Sequence, residues 1–272
     1  MDTGLAACYR KLETLRIADF QTLERQTPPI SHNEILQVLA SFKQKSPGND
    51  GLTKYHLTNL PDNMTANLTS IFNLCLASGH FPLPWKSSSM IFIPKPGKSP
   101  LDHSNYRPIS LLNVAGKALE KIINKRLYDK LDDLGLHNDR QHGFRKNRGT
   151  GTATGLLYEL IAVAKANNSR VNVVFRDISK AFDRVWHDGL TWKMIVAHLP
   201  DYLIRIIHNY LRDRNIEIRI GNYLGPRFSA LCGVPQGGCL SPTLFNFYTH
   251  DLPTPLGNNE DIIYADDITQ VI

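Results

Sequence analysis

Residues 261–272 read DIIYADDITQVI: an apolar run, Ile262-Ile263-Tyr264, breaks at Ala265-Asp266-Asp267 and resumes at Ile268, Val271 and Ile272. Branched and aromatic residues on both sides of the break predict two short strands folded about the acidic pair. Neighbouring side chains of a regular strand point to opposite faces, so Asp266 and Asp267 can share a site only where the chain turns over, as at a hairpin tip. A solvated turn is the plain alternative for two adjacent aspartates. The choice between them depends on the rest of the chain.

Working outward, residues 171–190, VNVVFRDISKAFDRVWHDGL, carry a second acidic signal. Val171, Val173, Val174 and Phe175 predict a buried strand that ends in Asp177. If that strand neighbours the hairpin, Asp177, Asp266 and Asp267 converge at one sheet edge. Like charges a few Å apart raise each other's pKa, and divalent cations remove the penalty. Hard oxygen ligands suit Mg²⁺, and two ions about 3.5–4 Å apart stabilise both the attacking and leaving oxygens of a phosphoryl transfer. Between these acidic segments, Ile216, Ile218 and Ile220 alternate with Glu217 and Arg219 before Gly221-Asn222, which predicts a half-buried hairpin. Residues 232–252, CGVPQGGCLSPTLFNFYTHDL, read as a Gly-rich loop opening into an apolar helix near Ser241-Pro242.

Upstream, SHNEILQVLASF (31–42) places Ser31 and Glu34 at capping-box spacing ahead of an apolar stripe and predicts a helix from about His32 to Gln44. KSPGNDGL (45–52) then forces a tight loop. Strands at Met90–Ile93 and near Arg107–Leu112 flank a loop broken by Pro and Gly, a hairpin loaded with cations that include Lys95 and Arg107. Ala115, Leu119, Ile122, Ile123, Leu127 and Leu131 recur at helical spacing up to Gly135. QHGFRKNRGT (141–150) is a second basic loop, with Arg145, Lys146 and Arg148, and it leads into another helix. Residues 1–29 are polar and mixed, close on Thr27-Pro28-Pro29, and read as a linker.

With 272 residues and 42% apolar content the chain can build a packed core. No stretch approaches the roughly 18 consecutive apolar residues of a membrane span, and charges interleave the first 16 residues, unlike a secretory leader. Cys8, Cys75, Cys232 and Cys239 show neither disulfide nor zinc spacing and read as free thiols in a reducing compartment. The net charge of +6 favours a polyanionic partner without naming one.

Taken in order, KSPGNDGL, IFIPKPGKSPLDHSNYRPISLLN, HGFRKNRGT, FRDISKAFDRVWHDGL, GVPQGGCLSPTLFNFYTHDL and YADD resemble the successive motifs of reverse transcriptases from non-LTR, jockey-like retrotransposons. The likeness runs from Lys45 onward. It implies an α+β right-hand polymerase: an N-terminal extension or linker over 1–30, fingers over 31–170, and a partial palm of antiparallel sheet and packed helices over 171–272. The thumb would lie outside these residues.

By the same resemblance, Asp177, Asp266 and Asp267 would be the catalytic carboxylates and would hold two Mg²⁺ ions, with Mn²⁺ as a substitute. A DNA primer 3′-hydroxyl would attack the α-phosphorus of a deoxynucleoside triphosphate on an RNA template, and pyrophosphate would leave. Lys95 and Arg107 would clamp the triphosphate, and the backbone of Ser179, Lys180 and Ala181 would face its phosphates. Phe182 would exclude a ribose 2′-hydroxyl by its bulk. Gln236 and Gly237 would line the nucleotide and template side, Tyr264 and Ala265 the primer end, and Arg145, Lys146 and Arg148 the template phosphates. The setting implied is an intracellular ribonucleoprotein, in nucleus or cytoplasm and away from membranes. Arg176 departs from the pattern, because relatives have an apolar residue before the first aspartate and a guanidinium buried in a central strand is costly. A noncatalytic, RNA-binding remnant of such an element is the other reading of the same motifs.

Overall fold

The computed structural model describes residues 3–17, 26–42, 46–257 and 259–272. Helix α1 (Thr3–Ile17) opens the chain, followed by α2 (His32–Ala40), α3 (Lys54–Thr58), α4 (Asp62–Ser78) and α5 (Leu83–Lys86). Strands β1 (Ser87–Pro94) and β2 (Tyr106–Leu111) come next, then α6 (Val114–Asp133), α7 (Thr150–Ala166) and β3 (Val173–Asp177). After these stand α8 (His187–Val196), α9 (Asp201–Leu211), β4 (Arg214–Ile220), β5 (Tyr223–Ala230), α10 (Ser241–Tyr248), β6 (Glu260–Tyr264) and β7 (Asp267–Val271).

The element ends follow local chemistry. Ser31 caps α2 by accepting the Glu34 N–H at 3.1 Å, as its spacing predicts. The helix stops at Ala40, short of the predicted Gln44, which lies outside the described residues. At the end of α6, Gly135 takes φ +63°, and the Leu136 N–H reaches back to the Leu131 carbonyl at 2.9 Å. That is the bond a left-handed glycine makes available at a helix C-terminus.

The strands form two sheets, one in the order β2-β1-β4-β5 and one in the order β3-β7-β6. The second is wholly antiparallel, as expected. The first is not, because β1 runs parallel to β4, with Ser87 opposite Asn215 and Met90 opposite Ile218. Residues 214–230 therefore join the sheet begun by residues 87–111, so the four-stranded sheet draws its strands from both sides of residue 170. No local pattern announces a parallel pairing between strands so far apart in sequence. One helical core links both halves: Ile35 and Leu39 of α2, Phe72 and Leu76 of α4, Leu119 and Ile123 of α6, and Leu203 and Ile207 of α9 are all buried. Each such side chain contributes about 1.5–3 kcal/mol through its removal from water.

Two further expectations need correcting. Residues 3–17 are helical where a linker was expected; Tyr9 donates to Asp188 of α8 at 2.8 Å, Lys11 pairs with Asp201 of α9 at 3.2 Å, and Leu12 packs on the core. Strand β3 is an edge strand rather than a buried one, and Phe175 is 73% exposed. Arg176 is accordingly exposed and donates to the Gln270 side-chain oxygen on β7, so its guanidinium is not buried in a central strand. No described helix is long and apolar enough to cross a membrane.

Candidate active site

The acidic hairpin forms as its sequence predicts. Tyr264 pairs with Asp267 across a two-residue turn of Ala265 and Asp266. On the other side of β7, Asp177 stands directly opposite Asp267, and the Ile178 N–H donates to the Asp266 carbonyl at 3.3 Å. Directly opposed residues of an antiparallel pair share a face, so all three carboxylates meet at one end of the sheet. Burial, and then the Asp267 and Asp177 carboxylates, push the Asp266 carboxyl above its ordinary value, against a backbone hydrogen bond that lowers it. This is the electrostatic penalty that a cation relieves, and the hard oxygen donors match Mg²⁺ or Mn²⁺. Among the described residues no group of three or more His, Cys, Asp or Glu is gathered tightly enough to ligate one ion. The carboxylates are neighbours rather than a closed cage.

Beyond Asp177 the chain turns sharply. Lys180 has φ +55°, Asp183 N–H bonds the Lys180 carbonyl at 3.0 Å, and Arg184 N–H bonds that of Ala181 at 3.3 Å. The N–H groups of Ser179, Lys180 and Ala181 have no partner among the described residues. Phe182 follows at once and is held between rings. Phe245 of α10 stacks on it at 4.8 Å and 17°, and Phe144 meets it edge-on at 6.2 Å and 83°.

The Gly-rich loop ties this turn to the four-stranded sheet. Val234 N–H donates to the Phe182 carbonyl, Gly233 N–H to that of Val185, and the Gln236 amide reaches Asp183 Oδ1 at 3.3 Å. On the other side, Ser110 N–H of β2 donates to the Gln236 carbonyl at 2.8 Å. Gly237 has φ +108°, and a Cβ there would stand 3.0 Å from the Ser110 carbonyl oxygen, so a side chain would be both strained and crowded. The Glu120 carboxylate of α6 accepts the Cys239 N–H at 2.7 Å and the Leu240 N–H at 3.4 Å. Lys95 and Arg107 stand on the β1–β2 hairpin, where Ile93 opposes Arg107 and the Lys95 N–H bonds the Asn105 carbonyl. The Lys95 ammonium donates to the Ser104 carbonyl at 3.1 Å, and Arg107 is exposed.

The basic loop at 145–148 is less available than its sequence suggests. Arg145 bonds the Asn138 carbonyl at 2.8 Å, and Arg148 bonds the Asp139 carbonyl and its carboxylate. Lys146 pairs with Asp129 at 3.6 Å and lies over the Tyr128 ring, with two thirds of its side chain in water. Asp129 and Tyr128 sit on α6, outside the reach of local pattern reading. Sequence reasoning also passed over Gln141, Phe144, Glu120 and Phe245, which position the named residues. HGF in the second basic loop was the available signal for Phe144, and nothing local marks Glu120.

The carboxylate-tipped hairpin beside a strand-end aspartate, braced by a Gly-rich loop, is the arrangement expected of a template-directed polymerase. Comparison with known proteins agrees: the family described as reverse transcriptase (RNA-dependent DNA polymerase) matches residues 93–272, and the chain belongs to it. It is 38% identical to a probable RNA-directed DNA polymerase from transposon BS of Drosophila melanogaster, over 84% of this chain and 25% of that protein. It is 35% identical to the RNA-directed DNA polymerase from mobile element jockey of the same species, over 88% of this chain and 27% of the relative. The chain thus spans about a quarter of the curated relatives it matches. Telomerase from Candida tropicalis superposes over 78% of this chain and 40% of its own at 13% identity and a TM-score of 0.49, a likeness too slight to build on.

Proposed function

We propose that this chain is the polymerase portion of a non-LTR retrotransposon reverse transcriptase, which adds deoxynucleotides to a primer 3′-hydroxyl on an RNA template. The observation that carries the reading is the direct opposition of Asp177 and Asp267 with Asp266 at the adjoining turn. In this reading the four-stranded sheet belongs to the fingers, the three-stranded sheet is part of the palm, and the thumb is not among these residues.

Asp177, Asp266 and Asp267 would hold divalent cations, Mg²⁺ or Mn²⁺, which supply Lewis acidity to the phosphoryl oxygens and lower the pKa of the primer hydroxyl. The protein's own groups do the positioning. Arg107 and Lys95 present cations to the triphosphate on one face of the β1–β2 hairpin, and the free N–H groups of Ser179 to Ala181 face the phosphates. Phe182, fixed by Phe245, fills the space a 2′-hydroxyl would need. Gln236 and Gly237 line the nucleotide and template side, and Tyr264 with Ala265 the primer end. Lys146 is the most exposed cation of its loop and suits a template phosphate, with Arg145 and Arg148 shaping the loop beneath it. The setting would be an intracellular ribonucleoprotein.

Primer extension on an RNA template with Mg²⁺ tests this. The wild-type chain should extend, and Asp266→Ala should abolish extension while leaving RNA binding intact. RNA binding with no extension by either protein would instead support the noncatalytic remnant.

A further inference from the structure

The acidic hairpin turns on a residue ill-suited to its shape. Ala265 has φ +57° in a two-residue loop. The β4–β5 hairpin makes the same kind of loop with Gly221 at φ +59°. Glycine adopts that conformation freely, whereas a residue with a Cβ does so at a cost of about 1–2 kcal/mol. The turn therefore needs support from outside itself.

Gln141 supplies it. Its side chain is 3% exposed, and Oε1 accepts the Ala265 N–H at 2.8 Å and the Gly143 N–H at 2.7 Å, while Nε2 donates to the Ala265 carbonyl at 3.1 Å. One amide thus satisfies both backbone groups of the strained residue. The flanks are tied as well: His142 N–H donates to the Ile263 carbonyl at 2.7 Å and Ile263 N–H to that of Arg140 at 2.8 Å. Gly143 packs so close that a Cβ would stand 2.5 Å from the Ala265 nitrogen.

We propose that Gln141 is a positioning residue for the polymerase reaction: its amide clamps Ala265 and so fixes the peptide plane that leads into Asp266 and the direction in which that carboxylate points. This rests on the function proposed above. The Ala265 carbonyl belongs to the peptide that joins Ala265 to Asp266, so holding it restricts the rotation that would swing Asp266 away from Asp177. The clamp requires an acceptor and a donor at the end of a side chain of this length. Methionine has the length and neither bond. An ionised glutamate accepts both N–H groups and repels the carbonyl.

The test compares Gln141→Met and Gln141→Glu with the wild-type chain by amide hydrogen exchange and by primer extension kinetics. In Gln141→Met exchange at Ala265–Asp267 should accelerate about tenfold or more, and in Gln141→Glu, which keeps the bond to the Ala265 N–H, exchange at Asp266 and Asp267 should do so, with the α6 and α9 amides unchanged in both. The kcat should fall about 10- to 100-fold at a nearly constant KM for deoxynucleotide, as misplacement of a reacting group requires. Unchanged exchange at the tip, or faster exchange with unchanged kcat, overturns the proposal. If Gln141→Met loses protection throughout, Gln141→Glu, which keeps both N–H bonds, decides. A wild-type chain silent in extension would defeat the polymerase reading, and the exchange data would still confirm or refute the clamp.

Discussion

Phe182 owes its place to two other rings, Phe245 stacked on one side and Phe144 edge-on at the other, and the pair together resist its rotation. Aromatic pairs of these geometries add about 0.5–1.5 kcal/mol each beyond burial. In the proposed reading that rigidity is what makes Phe182 selective, since a gate that swings aside admits the larger sugar. Phe182→Val should raise ribonucleotide incorporation relative to deoxynucleotide by about tenfold or more. Phe144→Ala, which removes only the edge contact, should raise it less. Equal discrimination in all three proteins, measured as the ratio of kcat/KM values, would remove Phe182 from the sugar pocket. The motif spacing pointed to Phe182, but its partners come from a separate loop and from α10, and only the folded chain brings them together. Arg176 teaches the converse: a β-branched run predicts a strand, yet not whether it is central, and β3 lies at an edge.

Among the elements, the loop at 232–240 joins the turn after β3 to the four-stranded sheet, through bonds to Phe182 and Val185 on one side and to Ser110 on the other. Its anchor is Glu120, whose carboxyl is fully buried and raised by that burial, with the Arg214 guanidinium opposing the shift. Removing the acceptor of the Cys239 and Leu240 N–H groups costs about 1–3 kcal/mol for each group left unpaired away from water. Glu120→Ala should therefore lower thermal stability sharply, while Glu120→Gln, which still offers an oxygen to Cys239 and Leu240, should lower it less. Equal melting temperatures for Glu120→Ala and wild type would show that the carboxylate anchors nothing. The hairpins and the α6 stop were legible because alternation, turn glycines and caps are local signals. Glu120 was not, since it stands within the apolar stripe of α6 as one charged residue among several. Helix α1 was missed for a related reason: its charged residues dilute the stripe, and the partners that dock it, Asp188 for Tyr9 and Asp201 for Lys11, lie on α8 and α9.

Across the whole molecule, one helical core carries two small sheets, and the chain crosses between them so that the proposed fingers include β4 and β5 from late in the sequence. This crossing was hidden because parallel pairing of distant strands leaves no periodic trace. The order of the motifs, by contrast, was fully visible and is what the family match over residues 93–272 reflects. The central claim is that three aspartates at one sheet end form a site that pays an electrostatic cost in order to receive divalent cations. Asp266 has its carboxyl raised by burial and by Asp267 and Asp177. For an acid held above its unfolded value, the destabilisation is absent below the unfolded pKa, near 4, grows as pH rises from there to the folded value, and is complete above it. Like charges placed directly opposite one another across a strand pair add to that destabilisation. The decisive measurement is the melting temperature of wild type and Asp266→Asn at pH 7, with and without millimolar Mn²⁺. Without metal the variant should melt about 1–3 °C higher, and Mn²⁺ should stabilise the wild type but not the variant. A variant no more stable than wild type, with Mn²⁺ stabilising both alike, would contradict a metal site at these carboxylates.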